Sequence, residues 1–356
     1  MSRIKVGILG ATGMAGQRYL QLLQDHPLFE VAFLAASSRS AGSTYGEAVS
    51  SRWILPTKPA EQFTKMIVNN AADVDKASNC QLVFSALDST VARELEPSYA
   101  RAGMAVVSNA SAFRGEPDIP VVIPEVNSHH LQVIEHQRRI RSWSGFIVTK
   151  PNCSIQSYLL PTFLIHRKFP VSEMVVNTMQ AVSGAGYPGL PVMQMMGNVV
   201  PFIAGEEQKS ELEPLKVLGA ISPDGIQNAS FPKISAHCNR VPTLDGHMAC
   251  VSLSFSGVIP TITQILECWQ EAPVMDLPLA PEKPLVVHSE PDRPQVTLDR
   301  DDQLGMSIHV GRLRACPVHH IRFVGLSHNT LRGAAGGGLL IAELLAKTKW
   351  IRWEKE

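Results

Sequence analysis

One cysteine and one glycine-rich turn carry most of the chemistry that this chain can be expected to perform. Cys153 lies in the segment KPNCSI of residues 150–155, and residues 4–16 read IKVGILGATGMAG. A strand followed by a tight glycine turn and a helix places backbone N–H groups and a positive helix end against a pyrophosphate. A dinucleotide site combined with a reactive thiol predicts a reaction in which sulfur carries an acyl group while a hydride is transferred.

The glycine turn and the end of the next strand indicate which nucleotide binds. The turn has the spacing G-x-x-G-x-x-G, and its predicted cofactor contacts are Gly10, Thr12, Gly13, Met14 and Gly16. The second predicted strand ends in SSRS, at a place where NAD-binding proteins often carry an acid for the ribose. Hydroxyl groups and a guanidinium suit a 2′-phosphate instead. The sequence therefore predicts NADP(H), held by Ser38, Arg39 and Ser40, with a solvated loop cation at position 39 as the alternative.

The sequence around Cys153 also suggests how its thiol is activated. The residue follows Pro151-Asn152 and precedes an apolar, helix-compatible run that ends at Leu160. A thiol at the start of a helix is expected to have a lowered pKa, which favours the thiolate. The chain has twelve histidines, and spacing alone does not select the one that acts as acid or base.

The other cysteines and the charge balance argue against several classes of protein. The remaining cysteines are scattered without a C-x-x-C pair, which predicts reduced thiols, a cytoplasmic location and no metal centre. With 32 basic and 32 acidic residues the formal net charge is zero, so no nucleic-acid or membrane partner is expected. No apolar run approaches the roughly 20 residues of a transmembrane helix, and the N-terminus leaves no room for a secretory signal.

The elements that must position these residues fall into two groups, because 356 residues are too many for one compact core. In roughly the first third of the chain, strand-like runs alternate with helical stretches, as in a parallel sheet with helices on both faces. The predicted strands are Lys5–Leu9, Val31–Ala36, Leu82–Ala86 and Ala105–Ser108, and the predicted helices are Gln17–Gln24 and Val91–Arg101.

Beyond Cys153 the predicted strands are longer and more alternating, as in a mixed or antiparallel sheet. They are Met174–Ala181, His247–Ser256, Gln295–Thr297, Met306–Leu313 and His320–Leu326. The proline-rich stretch Ala272–Pro294 is predicted to be an irregular surface segment, and Gly333–Trp350 a helix. The predicted fold class is α/β: a Rossmann-like doubly wound nucleotide-binding domain, followed by an α+β catalytic domain with a mixed sheet.

Several longer strings carry a resemblance that covers almost the whole chain. The chain resembles the aspartate-β-semialdehyde dehydrogenases, in the branch found in archaea and fungi, through GILGATGMAGQR, ASSRSAG, SNASAFR, PNCS, MQAVSGAGYPG, EEQKSELE, RVPTLDGH and HNTLRGAAGG. The resemblance implies an NADP-binding domain of residues 1–150, completed by a C-terminal helix of residues 330–356. It also implies a catalytic and dimerisation domain of residues 151–329, and a homodimer or homotetramer.

The resemblance further implies roles for individual residues near the thiol. Cys153 is the implied acyl-accepting nucleophile, His247 the acid–base group, and Gln180 the amide that orients the substrate. Arg240 is implied to bind the α-carboxylate of the substrate, and Glu206 its α-ammonium.

Other implied contacts concern the phosphate and the cofactor. Lys209 and Arg114, assisted by Asn152, are implied to bind the phosphate, and Glu207 is the alternative to its neighbour as the ammonium ligand. Further cofactor contacts are expected at Ser85, Ser183, Gly184 and Asn329.

The implied reaction is the reversible, NADPH-dependent reduction of L-4-aspartyl phosphate to L-aspartate 4-semialdehyde. It releases phosphate through a cysteine thioester and serves the biosynthesis of lysine, methionine, threonine and isoleucine. The alternatives are another reductase of the same architecture, acting on N-acetylglutamyl phosphate or malonyl-CoA, and a non-catalytic NADP-binding sensor. A phosphorylating glyceraldehyde-3-phosphate dehydrogenase is disfavoured by the SSRS segment, because that enzyme is expected to use NAD(H).

Overall fold

The computed structural model describes residues 3–351 and contains two six-stranded sheets and a small hairpin. The strands of the first sheet, β1 to β6, are Ile4–Leu9, Phe29–Ala36, Val68–Asn70, Leu82–Ser85, Ala105–Ser108 and Phe146–Thr149. All of them are parallel and lie in the order β3-β2-β1-β4-β5-β6. This order is that of a doubly wound nucleotide-binding fold, so the predicted fold of the first part of the chain is confirmed.

Helices cover both faces of this sheet, which explains why its strands read as short apolar runs. The helices of this region, α1 to α6, are Met14–Leu23, Tyr45–Val49, Glu61–Thr64, Ser89–Arg101, Pro124–Asn127 and Val133–Arg141. Helix α1 begins three residues before the predicted start, directly after the glycine turn. The predicted strands are all present, whereas the short strands β3 and β6 escaped prediction because three or four residues show no clear period.

The second sheet is mixed, as predicted. Its region contains β7 to β14, which are Val171–Gln180, Ala220–Ser222, Gly225–Gln227, Lys233–Arg240, His247–Phe255, Leu285–Val287, Ile308–Ala315 and Ile321–Ser327. Strands β8 and β9 form the separate hairpin, and the others lie in the order β10-β7-β11-β14-β13-β12. The pairs β7–β10 and β12–β13 are parallel, and the other pairs are antiparallel.

One face of the second sheet is buried and the other is open. The helices that follow α6, α7 to α13, are Leu159–His166, Val192–Met195, Glu206–Val217, Ile262–Gln270, Val296–Asp299, Asp302–Gly305 and Gly336–Lys347. Helices α7 and α10 cover the buried face, where Trp269 packs edge-on against Phe323 at 5.5 Å. The opposite face exposes Glu173, His237 and Cys250, as expected for a sheet that meets water or a partner on one side.

Two predictions in this region are wrong. The segment Gln295–Thr297 is not a strand, because Val296–Asp299 forms the short helix α11. The stretch Ala272–Pro294 is not wholly irregular, since it contains the edge strand β12, and its Leu279 N–H donates to Glu343. Strand β10 was missed because its sequence, KISAHCNR, alternates polar residues with few large apolar ones.

The chain returns to the first sheet after β14. A π-helical turn, Leu331–Ala335, runs directly into α13, whose Leu339 and Leu345 pack in the core of the first sheet. Residues 352–356 of the predicted C-terminal helix lie outside the described residues. Within residues 3–351, no helix has the length and apolar character needed to cross a membrane.

Candidate active site

A cleft of about 800 Å³ gathers residues from both sheets. The predicted site residues that line it are Gly10, Thr12, Gly13, Met14, Arg39, Arg114, Asn152, Cys153, Gln180, Ser183, Gly184, Glu206, Lys209, Arg240 and Asn329. The glycine turn and the predicted nucleophile therefore open onto the same space, as a hydride transfer to a sulfur-bound acyl group requires.

The glycine turn has the close packing that a pyrophosphate site needs. Gly10 has φ +78°, and a Cβ at this position would lie 2.5 Å from the carbonyl oxygen of Ala86. A Cβ at Gly16 would lie 2.3 Å from the carbonyl oxygen of Gly10, so helix α1 can approach β1 closely only with glycine there. Because α1 begins at Met14, its positive end opens onto the cleft.

Only one member of the predicted 2′-phosphate site lines the cleft. Arg39 is exposed and lies just beyond the end of β2, whereas Ser38 is exposed outside the cleft lining and Ser40 is buried. Ser85, at the end of β4, is also buried below the cleft surface. Arg52, which the sequence pattern did not single out, lines the cleft and offers a second guanidinium.

Three polar side chains meet because three neighbouring strands of the second sheet have ends at the same edge. Arg240 is the last residue of β10 and lies in parallel register with Gln180, the last residue of β7. His247 begins β11, which runs antiparallel to β7, so it lies at that edge as well. Strand register brings together residues that are far apart in the sequence.

The thiol of Cys153 lies against the imidazole of His247. The distance from Sγ to Nε2 is 3.4 Å, and the backbone N–H of Ala181 donates to Nδ1 at 3.0 Å. Since Nδ1 accepts, the proton of the neutral ring is on Nε2 and faces the sulfur. Burial, aided by the positive charge of Arg240, lowers the pKa of His247 to about 3. The ring is therefore a neutral hydrogen-bond donor to the thiol.

The expectation that a helix end lowers the pKa of the thiol is wrong. Cys153 precedes a single 3₁₀ turn, Ser154–Ser157, and α7 begins only at Leu159. Burial, together with the carboxylate of Glu206, raises the pKa of Cys153, and cations around the cleft act in the opposite direction. Burial, and after it the charged side chains around the cleft, therefore set how readily this thiol ionises.

Glu206 lies at the centre of a hydrogen-bond network inside the cleft. Its carboxylate accepts from the amides of Asn152 at 2.9 Å and Gln180 at 3.2 Å, and from the ammonium of Lys209 at 2.9 Å. Although burial raises the pKa of Glu206, Lys209 and these amides hold it below its usual range. Glu207 accepts only a long bond from the N–H of Cys238 and does not line the cleft, so the geometry favours Glu206.

Both cations predicted for the phosphate already have a carboxylate partner. Arg114 donates to Glu213 at 2.8 Å and to the carbonyl of Asn109 at 2.7 Å, while Lys209 is paired with the carboxylate of the network. Glu213 also accepts the backbone N–H of Asn152 at 2.6 Å, next to Cys153. The cleft therefore contains anchored cations with fixed positions.

Three of the predicted cofactor contacts, Ser183, Gly184 and Asn329, lie around the imidazole of His247. Asn329 donates to the hydroxyl of Ser183 at 2.7 Å and accepts the N–H of Gly246 at 2.8 Å, next to the imidazole. A Cβ at Gly184 would lie 2.7 Å from Nη1 of Arg240 and 3.2 Å from Nε2 of His247. No larger residue fits there without moving one of these groups.

Known proteins are similar to this chain over almost its whole length. Residues 5–134 match the family model of the semialdehyde dehydrogenase NAD binding domain, and residues 163–332 that of the semialdehyde dehydrogenase dimerisation domain. The aspartate-semialdehyde dehydrogenase of Archaeoglobus fulgidus is 46% identical over 354 residues, which are 98% of this chain and 100% of that protein. The chain belongs to the aspartate-semialdehyde dehydrogenase family.

Two solved structures of this family agree with that assignment. The aspartate semialdehyde dehydrogenase with NADP from Candida albicans has a TM-score of 0.90 at 38% identity, covering 98% of this chain and 100% of that one. The aspartate semialdehyde dehydrogenase II complexed with ASA from Vibrio cholerae has a TM-score of 0.77 at 25% identity, covering 98% and 99%. The resemblance to the family and the predicted fold class are confirmed, and the relatives include archaeal and fungal proteins.

Sequence reasoning overlooked three charged residues of the site in this family member. Lys150 and Arg52 line the cleft, and Glu213 connects an arginine to the backbone beside the nucleophile. Glu213 could have been found from helical spacing, because it lies seven residues after Glu206 in the same helix. Lys150 stands three residues before the nucleophile, but nothing in its sequence context marks it as buried.

A compact group of His288, Asp299 and His309 lies at the outer end of the second sheet, with ligand atoms within 4.8 Å of one another. The guanidinium of Arg293 binds both carboxylate oxygens of Asp299. Because the carboxylate already has a cationic partner, we assign no metal to this group.

Proposed function

We propose that this protein reduces L-4-aspartyl phosphate to L-aspartate 4-semialdehyde with NADPH and releases phosphate, and that it also catalyses the reverse reaction. The observation that carries this proposal is the 3.4 Å contact between Cys153 and His247 in the cleft that the glycine turn lines. Membership of the family supports an NADP-dependent phosphorylating dehydrogenase of aspartate-family amino-acid biosynthesis.

The cofactor side of the cleft fits NADP(H). Glycine at positions 10 and 16 lets the turn pack closely against the neighbouring backbone, and the positive end of α1 would face a pyrophosphate bound in the cleft. Arg39 and Arg52, which both line the cleft, would bind the 2′-phosphate through charge-assisted hydrogen bonds. When bound, NADPH supplies the hydride that reduces the acyl group.

The thiol of Cys153 would act as the nucleophile, and the imidazole of His247 would act on its sulfur. The sulfur of Cys153 attacks the acyl phosphate carbonyl, the C–O bond to phosphate breaks, and a thioester forms. After reduction, the C–S bond breaks and the aldehyde leaves. The sulfur would leave as the thiolate in which it attacked, and His247 would stabilise it by a hydrogen bond from its Nε2–H, which already points toward the sulfur.

Substrate recognition would follow from charge complementarity. Arg240 would bind the α-carboxylate through its planar guanidinium, and Glu206 would accept the α-ammonium. Lys209 and Arg114, with Asn152, would bind the phosphate. Gln180 would orient the acyl group from the neighbouring strand end. An acetylated amine or a malonyl chain lacks the ammonium that the carboxylate network suits.

A direct assay tests this function. NADPH formation is followed spectrophotometrically with aspartate semialdehyde, phosphate and NADP, and compared with N-acetylglutamate semialdehyde and malonate semialdehyde with CoA. The expected result is turnover with aspartate semialdehyde and at least about 100-fold lower kcat/KM with the others. Equal or better turnover with either competitor would assign the protein to the alternative class, and tight NADP binding with no turnover would indicate a sensor.

The nucleophile is tested by Cys153→Ser. Loss of the thiol should lower turnover by about a thousand-fold or more while NADP still binds, because serine is far less ionised at neutral pH. NADP affinity is measured by fluorescence titration on the same preparation. Substantial residual turnover would exclude the thioester route but leave the reaction itself in place.

We also propose that the open face of the second sheet pairs two copies of the chain, as the match to a dimerisation domain supports. Exposed residues of β7, β10 and β11, such as Glu173, His237 and Cys250, would then be covered. Sedimentation velocity distinguishes the expected dimer or tetramer from a monomer. The six free cysteines support a cytoplasmic location.

A further inference from the structure

The turn that follows Cys153 is held from two sides. It is the 3₁₀ turn Ser154–Ser157. On one side it packs against β14, where a Cβ at Gly325 would lie 1.9 Å from the carbonyl oxygen of Ser157, so no larger residue fits there. On the other side it is joined to a buried arginine through a side-chain hydrogen bond.

The arginine is Arg332, and it binds two partners at once. Its Nη1 and Nη2 donate to the two carboxylate oxygens of Glu125 at 2.7 and 2.8 Å, and its Nε donates to Oε1 of Gln156 at 3.1 Å. Because Gln156 belongs to the turn after Cys153, the last of these bonds attaches that turn to the ion pair. These three side chains are called the arginine cluster below.

The arginine cluster is buried and does not line the cleft. The side chains of Arg332 and Glu125 are 2% and 0% exposed, and Gln156 is 3% exposed. None of the three belongs to the cleft lining, whereas Gly333, the residue after the arginine, does. Any effect of the cluster on a molecule bound in the cleft must therefore be indirect.

Stability alone does not explain why this ion pair is buried. Removing two charges from water is costly, and apolar side chains of similar volume can often replace a buried ion pair without loss of stability. An apolar pair cannot supply direction, however. The donors of a guanidinium lie in one fixed plane, so they set the positions of the carboxylate and the amide relative to each other.

The arginine cluster connects segments from different parts of the fold around the thiol. Glu125 lies in α5, which belongs to the region of the first sheet. Arg332 lies in the π-helical turn Leu331–Ala335, and a Cβ at Gly333 in the same turn would lie 2.8 Å from Cβ of Cys153. One guanidinium therefore fixes both the turn that follows the cysteine and the turn that packs against it.

The imidazole that the thiol contacts is positioned by other elements. His247 is placed by the pairing of β11 with β7, and its Nδ1 accepts the backbone N–H of Ala181 at 3.0 Å. A shift of the turn after Cys153 would therefore lengthen the 3.4 Å contact from Sγ to Nε2 without moving the ring.

We propose that the arginine cluster positions the thiol of Cys153 against the imidazole of His247. Arg332 is the positioning residue, and Gln156 passes its position on to the turn. The consequence for turnover rests on the proposed function, whereas the consequence for the thiol does not. When the bond between the arginine and the turn is lost, the thiolate should receive the Nε2–H hydrogen bond less often and form less readily.

The test is the Gln156→Met variant, read by the pH dependence of alkylation of Cys153 by iodoacetamide. Mass spectrometry of the peptide that contains this cysteine follows the reaction. Methionine has about the size of glutamine but no strong acceptor, so the variant keeps the ion pair and loses its bond to the turn. The alkylation midpoint should rise by about half a pH unit or more. An unchanged midpoint would overturn the proposal.

Gln137 provides a matched control. It is another buried glutamine, 0% exposed, and its amide binds only the backbone of Asp118 and Ile147, outside the cleft lining. Gln137→Met should leave the alkylation midpoint of Cys153 within a few tenths of a pH unit. An equal shift in both methionine variants would mean that the loss of any buried amide produces it, and would reject the positioning role.

A second variant covers the case in which Gln156→Met fails to fold because the arginine Nε has lost its acceptor. The double variant Arg332→Met/Glu125→Leu removes the whole ion pair and leaves no buried charge unpaired. Its melting temperature should stay within several degrees of wild type, while its alkylation midpoint rises as in Gln156→Met. A folded double variant with the wild-type midpoint would contradict the proposal.

Turnover is measured on the same variants. With aspartate semialdehyde, kcat should fall by about ten-fold or more while the KM for NADP is kept, because only the thiol is displaced. Alkylation needs no substrate, so its result is independent of the proposed function. A shifted midpoint together with an inactive wild-type protein would reject the proposed reaction and keep the positioning of the thiol.

Discussion

The two sheets of this protein build their halves of the cleft in different ways. The first sheet contributes mainly backbone: a glycine turn at residues 10–16 and the end of a helix. The second sheet contributes side chains from strand ends, with Gln180 and Arg240 in register and His247 at the same edge. The cofactor half therefore depends on the absence of side chains, and the catalytic half on their exact identity and register.

Because of this difference, the cofactor half of the cleft is easier to predict from the sequence than the catalytic half. A site that is built from backbone is local in the sequence, so the run of thirteen residues at positions 4–16 is enough to predict it. A side-chain site that strand register assembles has no local signature, because its members are far apart in the chain.

Gly333 is an exception to this division, because it is a glycine that belongs to the catalytic half, and its replacement should have the largest effect on turnover. A Cβ at this position would lie 2.8 Å from Cβ of Cys153, so Gly333→Ala should displace the thiol from the imidazole. A shift of about 1 Å can cost roughly 100-fold in rate, so kcat should fall by about that factor while NADP affinity is kept. Gly257→Ala, where no atom lies within 4 Å of the new Cβ, serves as control and should keep wild-type kcat. A wild-type rate for Gly333→Ala would contradict the contact.

Arg240→Lys tests whether the catalytic half depends on the exact identity of its side chains. It keeps the positive charge at this position and removes only the planar shape of the guanidinium. Lysine lacks the planar fork that binds a carboxylate with two parallel bonds. We expect kcat/KM for the semialdehyde to fall by roughly 30-fold, from the loss of one charge-assisted hydrogen bond. Steady-state kinetics with varied semialdehyde measures this loss, and an unchanged value would exclude the carboxylate contact.

Arg39→Asp asks whether one side chain of the cofactor half acts on the cofactor alone. An acid at this position repels a 2′-phosphate and leaves NADH unaffected. The preference for NADPH over NADH should fall by about ten-fold or more, as measured by kcat/KM for each nucleotide. An equal loss with both nucleotides would mean that Arg39 supports the fold and not the phosphate.

The smallest expected effect concerns Glu96, which is buried below the cofactor half and accepts a bond from Ser108 at 2.6 Å. Burial raises its pKa to about 7. A carboxyl group that is harder to ionise when folded stabilises the protein at low pH. Its contribution is lost as pH rises from the unfolded value of 4.5 through about 7.

Because glutamine is neutral at every pH, the Glu96→Gln variant should lose less stability than wild type as the pH rises. At pH 8 the variant should melt a few degrees above wild type, and at pH 5 the difference should shrink or reverse. Melting curves at both pH values measure it. A difference that does not change with pH would show that Glu96 does not titrate in this range.

Much of the fold could be predicted from the sequence, because its strands are short apolar runs between clear turns. The glycine turn predicted both a strand and a helix start, and α1 begins only three residues from the predicted position. Strand β10 was missed because half of its residues face water or the cleft and are polar. Helix α11 was taken for a strand because a few residues after a proline carry no period that separates the two.

The site was less accessible than the fold. The resemblance supplied the residues of the catalytic half, and the structure brings them together at a sheet edge. Their electrostatics could not be predicted, since the pKa of the Cys153 thiol depends on burial and on cations from other elements. The partners of Arg114 and Lys209 likewise follow from tertiary packing, which no local pattern reports.

The path of the chain after β14 determines when the first sheet can complete its core during translation. Helix α13 is the last helix in the described chain, yet Leu339 and Leu345 fill the core of the first sheet, and Glu343 binds His26 at 2.8 Å. During translation the N-terminal half emerges long before this helix does. Its apolar wall therefore stays uncovered until α13 has been synthesised, so the nucleotide-binding half completes its core late although it is made first.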